Sequence, residues 1–447
     1  MQQPQAQPAN GVNLTEQTAD FVAAHRTEDV RQLALKAKRV EGLDLPLALD
    51  QIAGWQIACK KLPQWASCEG IIYPPHISME QCSSQFTAQY KSEIAQTLLT
   101  PAVTVRARMS DSPESDTQET KTGVRVTDSP ESDTLVERSS MVDLTGGFGV
   151  DFSYLARGFS QATYVERQRH LCDLAEHNMA ALGLDQARIV CDDGVEYLRQ
   201  MDPVDFIYLD PARRDEHGSR TYAIEDCTPN VLELRDLLLA KSQCTLVKLS
   251  PMLDWRKAVA DFDGTVREVH IVATGNECKE LLLVLSQQVH EEPSAPRVFC
   301  VNDNQRIDYD SAAYTQGLRI GGKPLPETKN YLYEPNVSIM KAGCFDLVEE
   351  RFGVTQVGPS SHLFVSATPV ADFPGRGFAI EAIGGMNKKD IKRLLNGTKQ
   401  ANIAVRNFPL TAPQLRKKLK LADGGPVYLF GTTMQGCDHV LLRTSKI

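Results

Sequence analysis

Acidic residues and glycines recur at four points of the sequence where a short apolar strand is predicted to end. The first is the run 143–151, DLTGGFGVD, between a predicted strand and a predicted helix. Glu166 ends the second predicted strand, the run 192–194 (DDG) follows the third, and the run 210–214 (DPARR) follows the fourth. Because ligands of open α/β sheets bind at the carboxyl ends of the strands, these residues are expected to meet at one site.

The residue types in this set favour a ligand that carries both a ribose and a positive charge. Glycines let the backbone approach a ligand closely, and Glu166 can accept both hydrogen bonds of a ribose diol. The loop departs from the dinucleotide pattern G-x-G-x-x-G, since Phe152 stands where the third glycine belongs. Asp143 and Asp151 suit a sulfonium or an ammonium group better than a pyrophosphate. The pattern therefore favours S-adenosylmethionine (SAM) as the cofactor.

Alternating β and α segments must position these residues, which predicts a doubly wound parallel sheet, an α/β fold. The helical segments lie between strands predicted at Met141–Thr145, Ala162–Glu166, Arg188–Cys191, Phe206–Asp210, Thr245–Leu249, Val266–Val272 and Leu281–Ser286.

Composition and periodicity divide the chain into five predicted regions. The heptapeptide DSPESDT occurs twice in an acidic stretch that is expected to be a disordered linker. The regions are a helical domain at 1–100, this linker at 101–140, the α/β domain at 141–290, an α+β domain at 291–375 and a β-α-β-α-β-β module at 376–447. Within them, Ser78 is expected to cap a last N-terminal helix through Leu99, a helical pair to span 337–352, and Gly424-Gly425 to end the last helix.

Positive charge is concentrated at the C-terminus. The whole chain of 447 residues carries 48 Lys and Arg against 57 Asp and Glu, a net charge of −9. Residues 376–447 alone carry 13 basic and 4 acidic residues, which gives +9. Two basic clusters on predicted helices are candidate RNA contacts, in which phosphates would supply most of the affinity. They are Lys388, Lys389, Lys392 and Arg393, and Arg416, Lys417, Lys418 and Lys420.

The motifs resemble a known family. The DLTGGFGVD loop, Glu166 and the DPAR run are similar to those of class I SAM-dependent methyltransferases. The match is closer to a bacterial group in which a Rossmann-like methyltransferase domain follows a helical region and precedes ferredoxin-like and THUMP-like domains. The further residues that resemble this group are the runs 80–84 (EQCSS), 90–91 (YK), 277–281 (ECKEL) and 415–419 (LRKKL), with Gly424-Gly425.

The resemblance implies roles for individual residues. Glu166 would hold the ribose hydroxyls, and Asp193, or second to it Asp192, would hold the adenine amine. Asp210, Pro211 and Arg213 would occupy the catalytic loop. The residues implied at the methionine end of SAM are Asp143, Gly146, Gly147 and Gly149, and Thr145 is a further candidate for cofactor binding.

The catalytic loop departs from the best-known pattern of amine methyltransferases, Asn/Asp-Pro-Pro-aromatic. Ala212 replaces the second proline and Arg213 the aromatic residue. DPAR is closer to the DPPR of 5-methyluridine enzymes, but those need a cysteine after the fifth strand, where this chain has the run 248–251, KLSP. Pyrimidine C5 chemistry is therefore disfavoured. Lys248 itself either contacts the substrate or forms a salt bridge.

Together, these features predict a SAM-dependent methyltransferase that acts on a base of structured RNA, tRNA or rRNA. Two alternatives stay open: a catalytically degenerate SAM-binding protein that interacts with RNA, because of the unusual DPAR loop, and a small-molecule methyltransferase. No metal and no membrane partner is expected. Eleven scattered cysteines without a CxxC pair, and an N-terminus without a signal peptide, predict a cytoplasmic protein. The oligomeric state stays open.

Overall fold

The computed structural model of the chain describes residues 14–36, 41–100, 139–213, 224–287, 295–314, 325, 328–436 and 439–447. The predicted acidic linker, with both DSPESDT copies, lies outside these residues apart from positions 139 and 140. The chain forms two compact units, Met1–Lys248 with Leu285–Gln287, and Leu249–Val284 with Gln288–Ile447. No helix within the described ranges is long and apolar enough to cross a membrane.

Within the described residues, the first unit begins with six helices and continues as an α/β sheet. Its helices are α1 (Glu16–His25), α2 (Val30–Lys36), α3 (Leu45–Lys61), α4 (Pro63–Ser67), α5 (His76–Gln81), α6 (Gln85–Leu99), α7 (Val150–Leu155), α8 (Arg169–Ala181), α9 (Gly194–Gln200) and α10 (Val231–Lys241). The strands that lie wholly or mainly in it are β1 (Ser140–Asp143), β2 (Gln161–Glu166), β3 (Ala187–Cys191), β4 (Val204–Leu209), β5 (Ala212–Arg213), β6 (Cys227–Thr228) and β7 (Ser242–Leu249).

The last N-terminal helix begins later than predicted. Ser78 lies inside the short helix α5, and the chain becomes extended at Cys82 before α6 begins. Ser84 provides the cap, since its side chain accepts a hydrogen bond from the backbone N–H of Thr87 at 3.2 Å. The prediction that Ser78 caps this helix is therefore wrong, because a second serine nearer the helix makes the capping bond.

Five parallel strands of the first unit follow the order β7-β4-β1-β2-β3. The chain fills the sheet in one direction from β1 through β2 to β3, and then in the other from β4 to β7. The strand order thus reverses between β1 and β4, which is the point where open α/β sheets bind ligands. Asp143 ends β1 and Asp210 follows β4, so both lie at this point.

The second unit contains the remaining helices and strands. Its helices are α11 (Trp255–Asp261), α12 (Val337–Ala342), α13 (Phe345–Phe352), α14 (Lys388–Leu395) and α15 (Ala412–Leu419). Its strands are β8 (Val266–Thr274), β9 (Glu277–Ser286), β10 (Arg297–Asn302), β11 (Gln305–Asp310), β12 (Tyr331–Pro335), β13 (Thr355–Gln356), β14 (Phe364–Ser366), β15 (Gly375–Gly385), β16 (Asn402–Arg406), β17 (Val427–Thr433) and β18 (His439–Lys446). A seven-stranded sheet has the order β13-β14-β12-β15-β18-β17-β16. The helical pair predicted over 337–352 is present as α12 and α13.

Both helices of the C-terminal module pack on one face of this sheet. Leu394 of α14 and Leu415 of α15 join Leu429 and Leu441 in one buried cluster. A second cluster contains Phe430 and Leu442, the neighbours of those two residues along β17 and β18. Because successive strand side chains point to opposite faces, α14 and α15 cover the same face and leave the other to the second cluster.

The predicted β-α-β-α-β-β order of the module is confirmed, but the predicted end of its last helix is wrong. Helix α15 ends at Leu419, and Lys420 adopts a left-handed conformation with φ of 56°. The N–H of Lys420 closes the turn on backbone carbonyls of α15. A left-handed residue ends a helix whatever its type, so Gly424-Gly425 is not needed for this purpose.

Candidate active site

The glycine loop after β1 brings the backbone close to the neighbouring strand. A Cβ atom on Gly146 would lie 2.2 Å from the Tyr164 ring, so no larger residue fits there without a shift. Gly147 and Gly149 have φ of 55° and 85°, which favours glycine at both positions, and Gly149 caps α7. The Tyr164 hydroxyl donates a hydrogen bond to the carbonyl of Gly147. Steric and conformational demands therefore explain the glycines of this loop.

Asp143 is a buried carboxyl at the end of β1. Its residue is 1% exposed, and its Oδ1 accepts a hydrogen bond from the backbone N–H of Thr145 at 2.9 Å. Burial, together with the nearby carboxylates of Asp151 and Asp210, raises its pKa to about 8. A cation placed beside this carboxyl would favour its ionised form. Asp143 therefore suits a positively charged ligand group.

Glu166 and Asp193 use their carboxylates on backbone N–H groups. Glu166 accepts one hydrogen bond from Gly147 at 3.1 Å and another from Gln168 at 2.9 Å. Asp193 caps α9 through hydrogen bonds from the backbone N–H groups of Val195 at 2.9 Å and Glu196 at 3.2 Å. Glu166 is thus tied to the glycine loop, whereas the contacts of Asp193 are those of a helix cap.

A pocket lies where the glycine loop meets the residues that follow β4. Thr145 joins the two segments, because its Oγ1 accepts a hydrogen bond from the backbone N–H of Asp210 at 2.7 Å. Six of the predicted cofactor-binding and catalytic residues line this pocket. The other four do not, and they are Glu166, Asp193, Pro211 and Arg213. The pocket is lined by Cys82, Ser83, Asp143, Thr145, Gly146, Gly147, Phe148, Gly149, Val150, Asp151, Tyr208, Asp210 and Lys248.

The catalytic-loop run 210–213 is only partly described. Pro211 is buried, and the backbone of Ala212 and Arg213 pairs antiparallel with Cys227 and Thr228 of β6. The side chain of Arg213 and the whole of Arg214 lie outside the described part of the chain. The predicted catalytic-loop role of Arg213 therefore stays a prediction.

A charged cluster beside the pocket joins Asp151 to the N-terminal helices. We define it as Ser83, Lys91, Asp151, Tyr208, Asp210 and Lys248. Lys91 has a side chain that is 0% exposed, and its Nζ lies 3.0 Å from Oδ1 of Asp151. The hydroxyls of Tyr208 and Ser83 donate to Oδ2 of Asp151 at 2.7 and 2.8 Å. Oδ1 of this carboxylate therefore faces a buried ammonium group, and Oδ2 accepts two hydrogen bonds from hydroxyl groups.

Lys248 forms the salt bridge that was one of its two predicted roles. Its Nζ lies 2.6 Å from Oδ2 of Asp210, 3.3 Å from Oγ of Ser83 and 3.8 Å from Oδ2 of Asp151. Burial alone would raise the pKa of Asp151, but the ammonium groups of Lys91 and Lys248 and the hydroxyl of Tyr208 outweigh it and lower that pKa. Asp151 is thus an anion held by its neighbours.

The N-terminal helical region forms part of the pocket wall through Cys82 and Ser83, a role that no spacing in the sequence indicated. The Trp65 ring lies 5.0 Å from the Phe148 ring, and its Nε1 donates a hydrogen bond to Oγ of Ser153 at 3.1 Å. The resemblance pointed to the runs 80–84 and 90–91 without giving them a role. Lys91, in the run 90–91, is fully buried within α6.

The pocket also contains Cys82, which bears on the choice of reaction. Its Sγ donates a hydrogen bond to the carbonyl of Met79 at 3.3 Å, and burial raises the pKa of the thiol. A protonated thiol is a poor nucleophile, because the thiolate is the reactive form. The ten cysteines of the described ranges are present as thiols. In those ranges, no group of three or more His, Cys, Asp or Glu side chains could hold a metal ion.

The C-terminal module presents a basic surface on α14 and α15. Six of its eight residues are exposed lysines, and Arg393 is exposed as well. Arg393 also donates to the carbonyl of Ile383 at 2.8 Å, and Arg416 pairs with Asp423. Because both helices cover one face of the sheet, their basic residues lie on the same side of the module. We call this set the basic surface: Lys388, Lys389, Lys392, Arg393, Arg416, Lys417, Lys418 and Lys420.

Comparison with known proteins finds similarity along the whole chain. Two family models match its C-terminal part, a ferredoxin-like domain at residues 331–374 and a THUMP domain-like family at residues 375–446. Among solved structures, the chain is similar to a "putative methyltransferase" from Porphyromonas gingivalis W83. The two share 30% sequence identity with a TM-score of 0.76, over 96% of this chain and 97% of that chain.

Two other solved structures match a third of the chain. A SAM-dependent methyltransferase from Agrobacterium tumefaciens has 17% identity and a TM-score of 0.27, over 35% of this chain and 58% of its own. An rRNA methylase from Streptococcus thermophilus has 16% identity and a TM-score of 0.26, over 35% of this chain and 91% of its own. A search of curated proteins found no match.

Proposed function

The chain belongs to the bacterial class I methyltransferase family that carries C-terminal ferredoxin-like and THUMP-like domains, and we propose that it transfers the methyl group of SAM to a base of structured RNA, tRNA or rRNA. One observation carries this proposal. Asp143, the glycine loop and Asp210 meet in a pocket at the point where the strand order reverses. Ligands of this class of sheet bind there.

The residues present fit SAM. Gly147 lines the pocket, and a Cβ added there would lie 3.6 Å from the Thr145 carbonyl oxygen, an ordinary contact that leaves space for a ligand. The buried Asp143 would bind the methionine ammonium group. Glu166 would bind the ribose hydroxyls, and Asp193 or Asp192 the adenine amine. When bound, SAM supplies an electrophilic methyl group on a sulfonium.

Asp210 and Pro211 would orient the acceptor nitrogen. The Asp210 carboxylate and the carbonyl of Pro211 can each accept an N–H of an exocyclic amine. Such a site works mainly by positioning, since a correctly oriented nucleophile reacts far faster than a free one. A stacked base hides its reacting edge, so the target base must be exposed or flipped into the pocket.

The basic surface supports RNA as the substrate class. Lysine-rich helices neutralise phosphates and contribute a salt-dependent affinity that does not depend on sequence. This arrangement favours a polyanionic substrate over a small-molecule acceptor. Loss of RNA retention on removal of residues 376–447 would support the assignment. A small molecule would become the better candidate if the full-length protein were not retained by RNA.

Calorimetric titration with SAM tests the cofactor. The unmodified protein is expected to bind SAM, and Gly147→Arg is expected to abolish binding because the arginine enters the pocket. Gly183→Arg is a matched control, since Gly183 also has a left-handed φ, 70°, with nothing within 4 Å of an added Cβ, and lies outside the pocket lining. Absence of binding by the unmodified protein would refute the proposal.

Mass spectrometry of nucleosides from a deletion strain tests the reaction. A methylated nucleoside that is missing from the RNA and returns with the intact gene is the expected result. An unchanged nucleoside profile, together with SAM binding, would favour a SAM-binding RNA-interaction protein without catalysis.

A further inference from the structure

We propose that Lys91 and Lys248 are positioning residues of the methyltransferase site. Each lysine forms an ion pair with a different carboxylate. Lys91 neutralises Asp151, and Lys248 therefore holds Asp210 in the catalytic loop. This inference rests on the proposed function, because it concerns how the transfer step is prepared.

The position of Asp151 depends on the N-terminal region. Its side chain is 11% exposed, and the fully buried Lys91 of α6 lies 3.0 Å from Oδ1. Ser83, which precedes α6, donates to Oδ2 at 2.8 Å. The same Ser83 hydroxyl accepts hydrogen bonds from Lys91 at 3.1 Å and from Lys248 at 3.3 Å. The N-terminal region therefore supplies a compensating charge and a bridging hydroxyl to this carboxylate.

Asp210 needs a partner to hold its side chain. Its carboxylate is 41% exposed, whereas that of Asp151 is largely buried. Thr145 fixes the backbone N–H of Asp210 at 2.7 Å, which leaves the side chain free to rotate. Lys248 is 15% exposed and lies 2.6 Å from Oδ2 of Asp210. This contact restrains the carboxylate that would orient the acceptor.

The two carboxylates compete for Lys248. Its Nζ lies 2.6 Å from the oxygen of Asp210 but 3.8 Å from that of Asp151. A buried carboxylate without a compensating charge attracts a cation strongly, because water no longer screens the interaction. Loss of the Lys91 charge would therefore draw Lys248 toward Asp151 and away from Asp210. In this way a helix of the N-terminal region controls a catalytic-loop side chain that it does not touch.

Kinetic variants test this linkage in the full-length protein. The variants are Lys248→Met, Lys248→Arg, Lys91→Met, and Lys91→Met combined with Asp151→Asn. Lys60→Met, at an exposed position of α3, is the control. The assay measures transfer of tritiated methyl groups from SAM to total RNA of a deletion strain, and gives kcat and the KM for SAM.

Lys248→Met is expected to lower kcat about tenfold to a hundredfold, because a small misplacement of a reacting group has effects of this size. The KM for SAM is expected to stay within about twofold, since Lys248 acts through Asp210. Lys248→Arg should retain most of the activity. A kcat unchanged in Lys248→Met would overturn the proposal, as would an equal loss in both Lys248 variants.

The Asp151 change distinguishes competition from simple damage. Lys91→Met is expected to lower kcat, and the added Asp151→Asn is expected to raise it again, because a neutral amide no longer attracts Lys248. Both values are measured at saturating SAM, so that a contribution of Asp151 to SAM binding affects the KM and not kcat. A double variant as impaired as Lys91→Met alone would overturn the proposal. If Lys91→Met fails to fold, the comparison of Lys248→Met with Lys248→Arg still tests the proposal. The expected loss of kcat at an unchanged KM in those variants does not depend on Lys91.

The positioning role of the two lysines can be tested separately from the proposed methyltransferase function. A wild-type protein that binds SAM but methylates no RNA would refute the proposed function alone. Crystal structures of the wild type and of Lys248→Arg, Lys91→Met and the double variant would then decide the linkage. A lengthened distance from Lys248 to Asp210 in Lys91→Met, reversed in the double variant, supports it, and an unchanged distance overturns it.

Discussion

The pocket and the C-terminal module use positive charge in opposite ways. Beside the pocket, Lys91 is fully buried against Asp151, and Lys248, which lines the pocket, is 15% exposed against Asp210. On the basic surface, the lysines of α14 and α15 are all exposed. The first arrangement places individual charges at fixed distances, whereas the second places many charges on one side of a module.

This difference has consequences for how each region responds to change. A buried ion pair is screened little by salt, and removal of one partner leaves the other charge uncompensated. Exposed charges contribute little singly to stability, but together they attract a polyanion over a distance that salt shortens. Substitutions in the pocket should therefore alter the rate or the folding stability, and substitutions on the basic surface should alter the salt dependence of binding.

The largest expected effect concerns Asp210. Asp210→Ala should lower kcat for RNA methylation by about 100-fold or more, because the group that orients the acceptor is lost. The affinity for SAM, measured by calorimetry, should change little. Asp202→Ala, at an exposed position just before β4, is the matched control. Equal rates for Asp210→Ala and the wild type would remove Asp210 from the proposed mechanism.

The second prediction compares a buried and an exposed lysine in folding stability. Lys91→Met should lower the free energy of unfolding by about 3–5 kcal/mol, because Asp151 loses its buried partner. Lys417→Met on the basic surface should change it by less than about 0.5 kcal/mol. Urea denaturation measures both. Similar losses for the two variants would contradict the contrast between the regions.

The third prediction concerns protons and SAM. Since the pKa of Asp143 is about 8, its carboxyl is mostly protonated at pH 7, and binding of an ammonium group should ionise it. Binding at pH 7 should therefore release close to one proton, and affinity should increase as the pH rises toward 8. Calorimetry in two buffers with different ionisation enthalpies measures the release. Asp143→Asn should remove this proton release, and an undiminished release would assign it to another group.

The smallest expected effect is on RNA affinity. Replacement of Lys388, Lys389, Lys417 and Lys418 by Gln should weaken RNA binding by about tenfold at moderate salt and reduce the slope of log affinity against log salt. SAM affinity should stay the same. A filter-binding titration at several salt concentrations measures the slope, with Lys60→Gln as control. A slope equal to that of the wild type would place the RNA contacts elsewhere.

Much of the fold was predictable from local patterns. The buried part of β4, residues 206–209, is a continuous apolar run, and alternation of such runs with helices predicted the parallel sheet that the structure contains. Helix ends were less predictable, as Ser78 and Gly424-Gly425 show. Several residues near a helix end can cap it, and the competition between them is decided by backbone geometry. The exact domain boundaries stay predictions.

The candidate site was predicted in part, for a physical reason. Asp143, the glycine loop and Asp210 lie at strand ends, and the topology of a parallel sheet brings strand ends together. Lys91 and Ser83 come from helical segments far away in sequence, so no local spacing indicates that they contact Asp151. The resemblance pointed to their segment but not to their partner.

The sequence by itself thus determined the family, the α/β fold, the strand-end carboxylates and the concentration of basic residues near the C-terminus. These properties follow from residue types and short-range periodicity, which act along the chain. Only the tertiary structure decided which charges pair, because a salt bridge depends on distances between segments that are remote in sequence. The pairing of Lys91 with Asp151 and of Lys248 with Asp210 is therefore known from the tertiary structure alone.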